Sequence, residues 1–86
     1  MGKAVVFSKH AEYKLQLLRQ HGFEFSKKEV EEIVRKPERV SAGYVGRKIA
    51  ERVVSEQHVV RVVFEDLPRQ LKIITMYPSR RGRYEN

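Results

Sequence analysis

Residues 47–65 read RKIAERVVSEQHVVRVVFE, two runs rich in Val and Ile on either side of a short polar break at residues 56–57. β-Branched residues at this density favour a pleated, half-buried strand, and a short polar break between two such runs reads as a hairpin. The same pattern extends outward. Strand signals cover residues 39–44, 47–55, 58–65 and 70–77, separated by a Gly-rich break, the polar break and a turn built on Leu67-Pro68. Four consecutive strands with short connections predict an antiparallel meander.

Helical signals precede the strands. Ser8 offers an N-cap, and Ala11, Leu15 and Leu18 recur on one helical face until Gly22 stops the element. Ser26 and Glu29 form a capping box, Phe25 can staple onto Val30, and Val30, Ile33 and Val34 make a second buried stripe that ends before Pro37. Residues 4–7, Ala-Val-Val-Phe, add a short apolar strand signal. The expected fold is α+β: two N-terminal helices packed on a C-terminal antiparallel sheet of about four strands. Residues 1–86 form one domain, with room for a single two-layer core.

Composition narrows the function. Hydrophobic residues make up 41% and charged residues 34%, which fits a globular chain rather than a disordered one. No apolar run approaches the length of a membrane span and residues 1–10 lack a signal-peptide core, so the expected location is the cytoplasm, with no membrane partner. The absence of cysteine excludes disulfides, thiolate zinc sites and thiol nucleophiles, and His10, His21 and His58 are too scattered for a metal-ligand spacing. No cofactor is expected. With 18 basic against 11 acidic residues the net charge is +7, the footprint of a protein that binds a polyanion or an acidic protein.

A register can be drawn for the sheet. If residues 56–57 are a two-residue loop, Ser55 pairs with His58 and Arg52 lies opposite Arg61; if residues 66–69 form the next loop, Ile74 also comes opposite Arg61. Alternation then places Ile49, Val53, Val60, Val62, Phe64, Leu71, Ile73 and Tyr77 under the helices, with Glu51 as the lone charge. The opposite face carries Lys48, Arg52, Arg61 and Lys72 among Ala50, Val54, Val59, Val63, Ile74 and Met76. Two facing arginines repel each other, which suits a phosphate or carboxylate placed between them. Exposed Val, Ile and Met on that face predict a covering partner or self-association. The chain then runs into Tyr77-Pro78-Ser79-Arg80-Arg81-Gly82-Arg83-Tyr84, a basic segment with phenols at both ends that suits RNA.

Three segments carry a resemblance: Ser8-Lys9-His10-Ala11, Gly46-Arg47-Lys48-Ile49-Ala50, and Thr75-Met76-Tyr77 followed by Arg83-Tyr84. With the helix pair, sheet and basic tail, they resemble the RelE/ParE toxin superfamily, in particular a largely uncharacterised prokaryotic branch. RelE-like members are metal-independent ribonucleases, many cutting messenger RNA on the ribosome, whereas ParE-like members act on DNA gyrase. Both are neutralised by an antitoxin. The resemblance implies a toxin-type endoribonuclease whose partners are RNA, ribosome-associated messenger RNA included, and an acidic antitoxin. A gyrase-directed toxin and a non-catalytic nucleic-acid- or protein-binding module are the alternatives, and a homo-oligomer is open.

Cleaving RNA without a metal requires activation of a 2′-hydroxyl, charge stabilisation on the phosphorane and protonation of the leaving oxygen. Arginine can do only the second, because it does not lose its proton in a protein. Arg52, Arg61, Arg80 and Arg83 are the expected charge stabilisers, with Arg47, Lys48, Arg52, Lys72, Tyr77 and Arg81 as RNA contacts. For proton transfer the sequence offers His10, in the first turn of a helix, and Tyr84 beside Arg83. His58 falls on the expected core face and reads as structural. The acidic second helix, with Glu29, Glu31 and Glu32, argues against a DNA-reading helix-turn-helix.

Overall fold

A computed structural model of the chain describes residues 3–81. In chain order the elements are β1 (Ala4–Phe7), α1 (Lys9–Gln20), α2 (Lys27–Arg35), β2 (Arg39–Ala42), a single 3₁₀ turn (Tyr44–Gly46), β3 (Lys48–Val53), β4 (His58–Asp66) and β5 (Gln70–Arg80). The two helices cover one face of a five-stranded sheet of order β1-β5-β4-β3-β2. The expected α+β arrangement is present, but the sheet is mixed. β1 pairs in parallel with the start of β5, Val5 opposite Leu71 and Phe7 opposite Ile73. A strand whose Val5 and Phe7 pack on the core needs an edge to pair with, and β5 supplies it. No helix among the described residues is long and apolar enough to cross a membrane.

The helices form where their caps and stripes direct them. Ser8 Oγ accepts from the Ala11 N–H at 3.0 Å, capping α1. The Ser8 hydroxyl also donates to the Ile74 carbonyl at 3.0 Å and its N–H to the Ile73 carbonyl at 3.0 Å, so the cap anchors α1 to β5. Both arms of the Ser26–Glu29 capping box are made. Ala11, Leu15 and Leu18 of α1 and Val30, Ile33 and Val34 of α2 meet Ala50, Val60, Val62, Phe64, Ile73 and Met76 of the sheet. Burial of each large side chain contributes about 1.5–3 kcal/mol.

The register differs from the expected one, for two local reasons. First, the β3–β4 turn has three residues. The Val54 and Ser55 N–H groups both donate to the His58 carbonyl, at 3.0 and 3.3 Å, while Ser55 Oγ accepts from the N–H groups of Gln57 and His58 at 3.2 and 3.1 Å. The extra residue turns β3 over relative to β4. Glu51, not Arg52, lies opposite Arg61, and Arg52 lies opposite Val60 on the helix side. The facing-arginine arrangement is therefore absent, and Ala50 replaces Ile49 and Val53 under the helices.

Second, β4 and β5 carry an irregularity. Phe64 pairs with Ile73 but Val63 pairs with Thr75, leaving Ile74 as an extra residue. The β4–β5 loop narrows to residues 68–69, closed by Leu67 N–H donating to the Gln70 carbonyl at 2.9 Å. Before the irregularity Leu71 and Ile73 keep their expected helix-side positions; beyond it the parity reverses. Met76 is consequently buried in the core and Tyr77 faces outward, opposite Arg61. The expected apolar strip on the outer face is thus reduced, since Ala50 and Met76 both belong to the core.

The β2–β3 hairpin holds Val45 at φ 59°, ψ 44°, a left-handed conformation that a β-branched residue adopts at a cost of about 1–2 kcal/mol. With 77% of Val45 exposed, packing does not compensate. Gly43 is fixed by its close approach to Arg47: its N–H donates to the Arg47 carbonyl at 2.6 Å, and a Cβ there would sit 2.9 Å from that oxygen. Val45→Asn should relieve the strain and stabilise the fold by about 1 kcal/mol, raising Tm by roughly 4–8 °C. An unchanged or lower Tm in a calorimetric scan would show that no strain is stored there.

Candidate nucleic-acid interface

The outer face of the sheet, opposite the helices, carries a row of polar side chains across four strands. Arg39 of β2 lies opposite Glu51 of β3, Glu51 opposite Arg61 of β4, and Arg61 opposite Tyr77 of β5. Arg61 Nε is 3.0 Å from Glu51 Oε2, and its guanidinium carbon sits 5.7 Å from the centre of the Tyr77 ring. Both charges are buried, Glu51 at 4% and Arg61 at 8% exposure. The Arg61 guanidinium thus already has a carboxylate and an aromatic ring as neighbours within the sheet. One row further along, Arg47 pairs with Glu65 at 3.6 Å, and Lys72 lies opposite Glu65.

A second constellation forms where the sheet ends. β5 continues past Tyr77 to Arg80, pairing Pro78 with Val60, Ser79 with Val59 and Arg80 with His58. β1 reaches only residues 70–73 of β5, so at Pro78 that side of the strand is an edge, where a residue without an N–H is tolerated. Arg81 then donates its N–H to the Gln57 carbonyl at 2.9 Å. The sequence suggested that the basic segment leaves the sheet at Tyr77; instead its first residues are locked into the ladder. A cavity of about 360 Å³ opens at this corner, lined by Glu56, Gln57, His58, Arg80 and Arg81.

His58 is held in place at this corner. Its ring meets Phe23 edge-on at 5.5 Å between centroids, and Nδ1 lies 3.5 Å from Ser55 Oγ. The sequence reading placed His58 on the core face opposite Tyr77; it does lie on the helix side, against Phe23, but the tighter β4–β5 loop and the extra residue at Ile74 make Arg80 its cross-strand partner. Its cross-strand placement opposite Arg80 gives an imidazole and two guanidiniums one common site, the types needed for moving a proton and holding a phosphate. No local sequence signal marks this partner, because it depends on the length of the β4–β5 loop and on the extra residue at Ile74.

Other expected site residues lie apart. His10 is exposed on α1, which packs on the helix side, so the sheet separates it from Arg61. α1 runs from Ser8 beside Ile73 to His21, which lines a small cavity with Pro78. His10 is thus at the end of the helix away from Arg80. Lys48 lies on the helix side opposite Phe64, where it and Lys3 both bond Asp66, Lys48 at 3.1 Å. Arg83 and Tyr84 lie outside the described residues. Among the described residues no group of three or more His, Asp or Glu could hold a metal ion.

Comparison of the chain with known protein families, with curated proteins and with solved structures finds no match.

Two predictions concern the paired charges. Glu51→Ala should destabilise the fold by about 3 kcal/mol in urea titrations, because it leaves a buried guanidinium without its carboxylate. The Glu51→Ala, Arg61→Ala double variant should lose less than the two single losses combined; simple additivity would mean the pair is not coupled. The Lys3 and Lys48 ammonium groups hold the Asp66 carboxyl below its usual range by hydrogen bonds and by their charge. The stabilisation is therefore complete above the unfolded carboxyl value of about 3.9 and is lost as pH falls through the lower folded value. The urea midpoints of wild type and Asp66→Asn should differ by a constant amount above about pH 5 and converge in stronger acid. A gap that persists in acid would exclude the ionised carboxylate as its cause.

Proposed function

We propose that this chain is an RNA-directed protein of the toxin type, a metal-independent endoribonuclease neutralised by an acidic antitoxin. The observation that carries the reading is the corner where His58, Arg80 and Arg81 surround one cavity. The net charge of +7 draws a polyanion towards it. There, Arg80 and Arg81 hold the scissile phosphate and stabilise the charge that builds on the phosphorane. His58 takes the proton from the ribose 2′-hydroxyl as its oxygen bonds to phosphorus; the bond to the 5′-oxygen breaks, and that oxygen takes a proton from a second group or water. The products are a 2′,3′-cyclic phosphate and a free 5′-hydroxyl. The role first assigned to His10 passes to His58, because His58 is the imidazole next to the arginines.

One observation favours a second reading, a non-catalytic RNA-binding module. Arg61, the expected charge stabiliser in mid-sheet, is already matched by Glu51. On that reading the basic corner grips RNA without cutting it.

Single-stranded RNA should bind with an affinity that falls steeply as salt rises, and Arg80→Ala or Arg81→Ala should each reduce the slope of log K against log salt by about 0.7. RNA incubated with the protein in chelator should yield fragments ending in cyclic phosphate. His58→Gln should lower the cleavage rate at least about a hundredfold, with RNA affinity retained. Binding without cleavage would establish the module reading. Neither binding nor cleavage would overturn both.

A further inference from the structure

Beside the His58–Arg80 corner, on the helix side, a second cavity of about 230 Å³ opens between the C-terminal half of α1 and β5. Leu17, Leu18, Phe23 and Pro78 give it apolar walls, and Lys14 and His21 supply its polar groups. We propose that this cavity is a nucleobase subsite, shaped for guanine, which holds the base of the nucleotide whose ribose His58 deprotonates. The proposal rests on the RNA-directed reading above and adds to it the base at which the chain is cut.

The first support is continuity with the corner. Pro78 and Arg80 are two residues apart on β5, so their side chains share the helix-side face about 7 Å apart, with Val60 and His58 opposite them on β4. Phe23 lines the cavity, and its ring also meets the His58 ring edge-on at 5.5 Å. Phe23 is thus a wall shared by the cavity and the imidazole, a spacing that one nucleotide can bridge with its base on one side and its 3′-phosphate on the other. The base so held belongs to the ribose beside His58, which is the nucleotide on the 5′ side of the cut.

The cavity is also preformed. α1 ends in a Schellman motif: the Gly22 N–H donates to the Arg19 carbonyl at 3.2 Å and the Phe23 N–H to the Leu18 carbonyl at 2.8 Å, with Gly22 at φ 90°. These bonds fix Phe23 against the end of the helix whose Lys14, Leu17, Leu18 and His21 recur on one face. Phe23 and Pro78 are both half-buried, so each leaves part of its surface to the cavity. β1 pairs only with residues 70–73 of β5, so that strand does not close the opening at Pro78. Rigid apolar walls suit a planar base, and a space of this size admits one ring system rather than a helix of a protein partner.

The polar groups select the base. Lys14 only donates, His21 adds a ring-nitrogen donor, and no carboxylate or amide side chain of the described residues lines the cavity. Neither Lys14 nor His21 belongs to any of the ion pairs among the described residues, so neither has a carboxylate to give up on binding. Guanine presents two adjacent acceptors, O6 and N7, on one edge, and a lysine can engage both. Adenine and cytosine present amino donors on that edge, which would face the Lys14 ammonium, and uracil presents a single acceptor there.

The test is an NMR titration with the four nucleoside 3′-monophosphates. 3′-GMP should bind saturably, shift the amides of residues 14–23 together with those of His58 and Arg80, and bind about tenfold more tightly than 3′-AMP, 3′-CMP or 3′-UMP. The 7-deaza analogue of 3′-GMP, which lacks the N7 acceptor, should lose most of that advantage, as should Lys14→Met with 3′-GMP itself. Arg80→Ala should weaken all four nucleotides by a similar factor and leave the preference intact. Fragments cut from RNA of mixed sequence should end in guanosine 2′,3′-cyclic phosphate. No saturable binding, equal binding of the four nucleotides, shifts confined to other amides, or a preference that survives both the 7-deaza change and Lys14→Met would overturn the proposal. RNA binding or cleavage without base preference would overturn the subsite and leave the RNA-directed reading standing. A 3′-GMP preference at these amides without any RNA cleavage would keep the subsite and count against the ribonuclease reading alone.

Discussion

The number of residues in the β3–β4 turn decides which half of β3 enters the core. Ser55 Oγ collects the N–H groups of Gln57 and His58, and the His58 carbonyl collects those of Val54 and Ser55, so three residues are fixed in the loop. Side chains alternate along a strand, and a slip of one residue would exchange the two faces of β3. Glu51 would then be turned towards Val30 and Ile33, at a desolvation cost of several kcal/mol with no cation opposite. In the observed register Ala50 takes that place, and its small side chain lets α2 pack closely. Glu51 meets Arg61 instead.

A second parity change reinforces the first. The extra residue at Ile74 turns Met76 inward and Tyr77 outward, so the phenol ring comes to lie beside the Arg61 guanidinium. Ser8 bonds the carbonyls of Ile73 and Ile74 at the same place, fixing the start of α1 to the irregular strand. A buried ion pair adds little net stability compared with apolar residues of similar size. Its contribution here is to penalise alternative registers, since any slip separates the two charges. The cavities lined by basic residues lie at the margins of the sheet, at the His58–Arg80 corner and beneath α2.

The helices were legible because their signals are local. Ser8, the Ser26–Glu29 box and Pro37 each act within a few residues, and the apolar stripes of α1 and α2 are those that the sequence spacing marks. The strands were legible in kind and nearly in extent. Their faces were not, because one residue more or less in a turn reverses a face, and both turns offered alternatives of similar local energy. The site suffered the same error. Arg61 was singled out with Arg52 opposite it where Glu51 stands, and His58, on the helix side as expected, faces Arg80 rather than Tyr77. Arg80 and Arg81 were singled out correctly by type, while their attachment to the β3–β4 turn depends on pairing between segments more than 20 residues apart.

The sequence by itself determined an α+β chain with two capped helices before a meander, the residues of the helical stripes, and a strongly basic surface. Those properties follow from composition and from spacing within single elements. Tertiary structure alone decided that Ala4–Phe7 completes the sheet, that Glu51 neutralises Arg61, and that His58 stands with Arg80. The physical reason is that face and neighbour in a sheet depend on residue counts summed across turns and irregularities. Only the closed hydrogen-bond ladder, with the helices packed against it, fixes those counts.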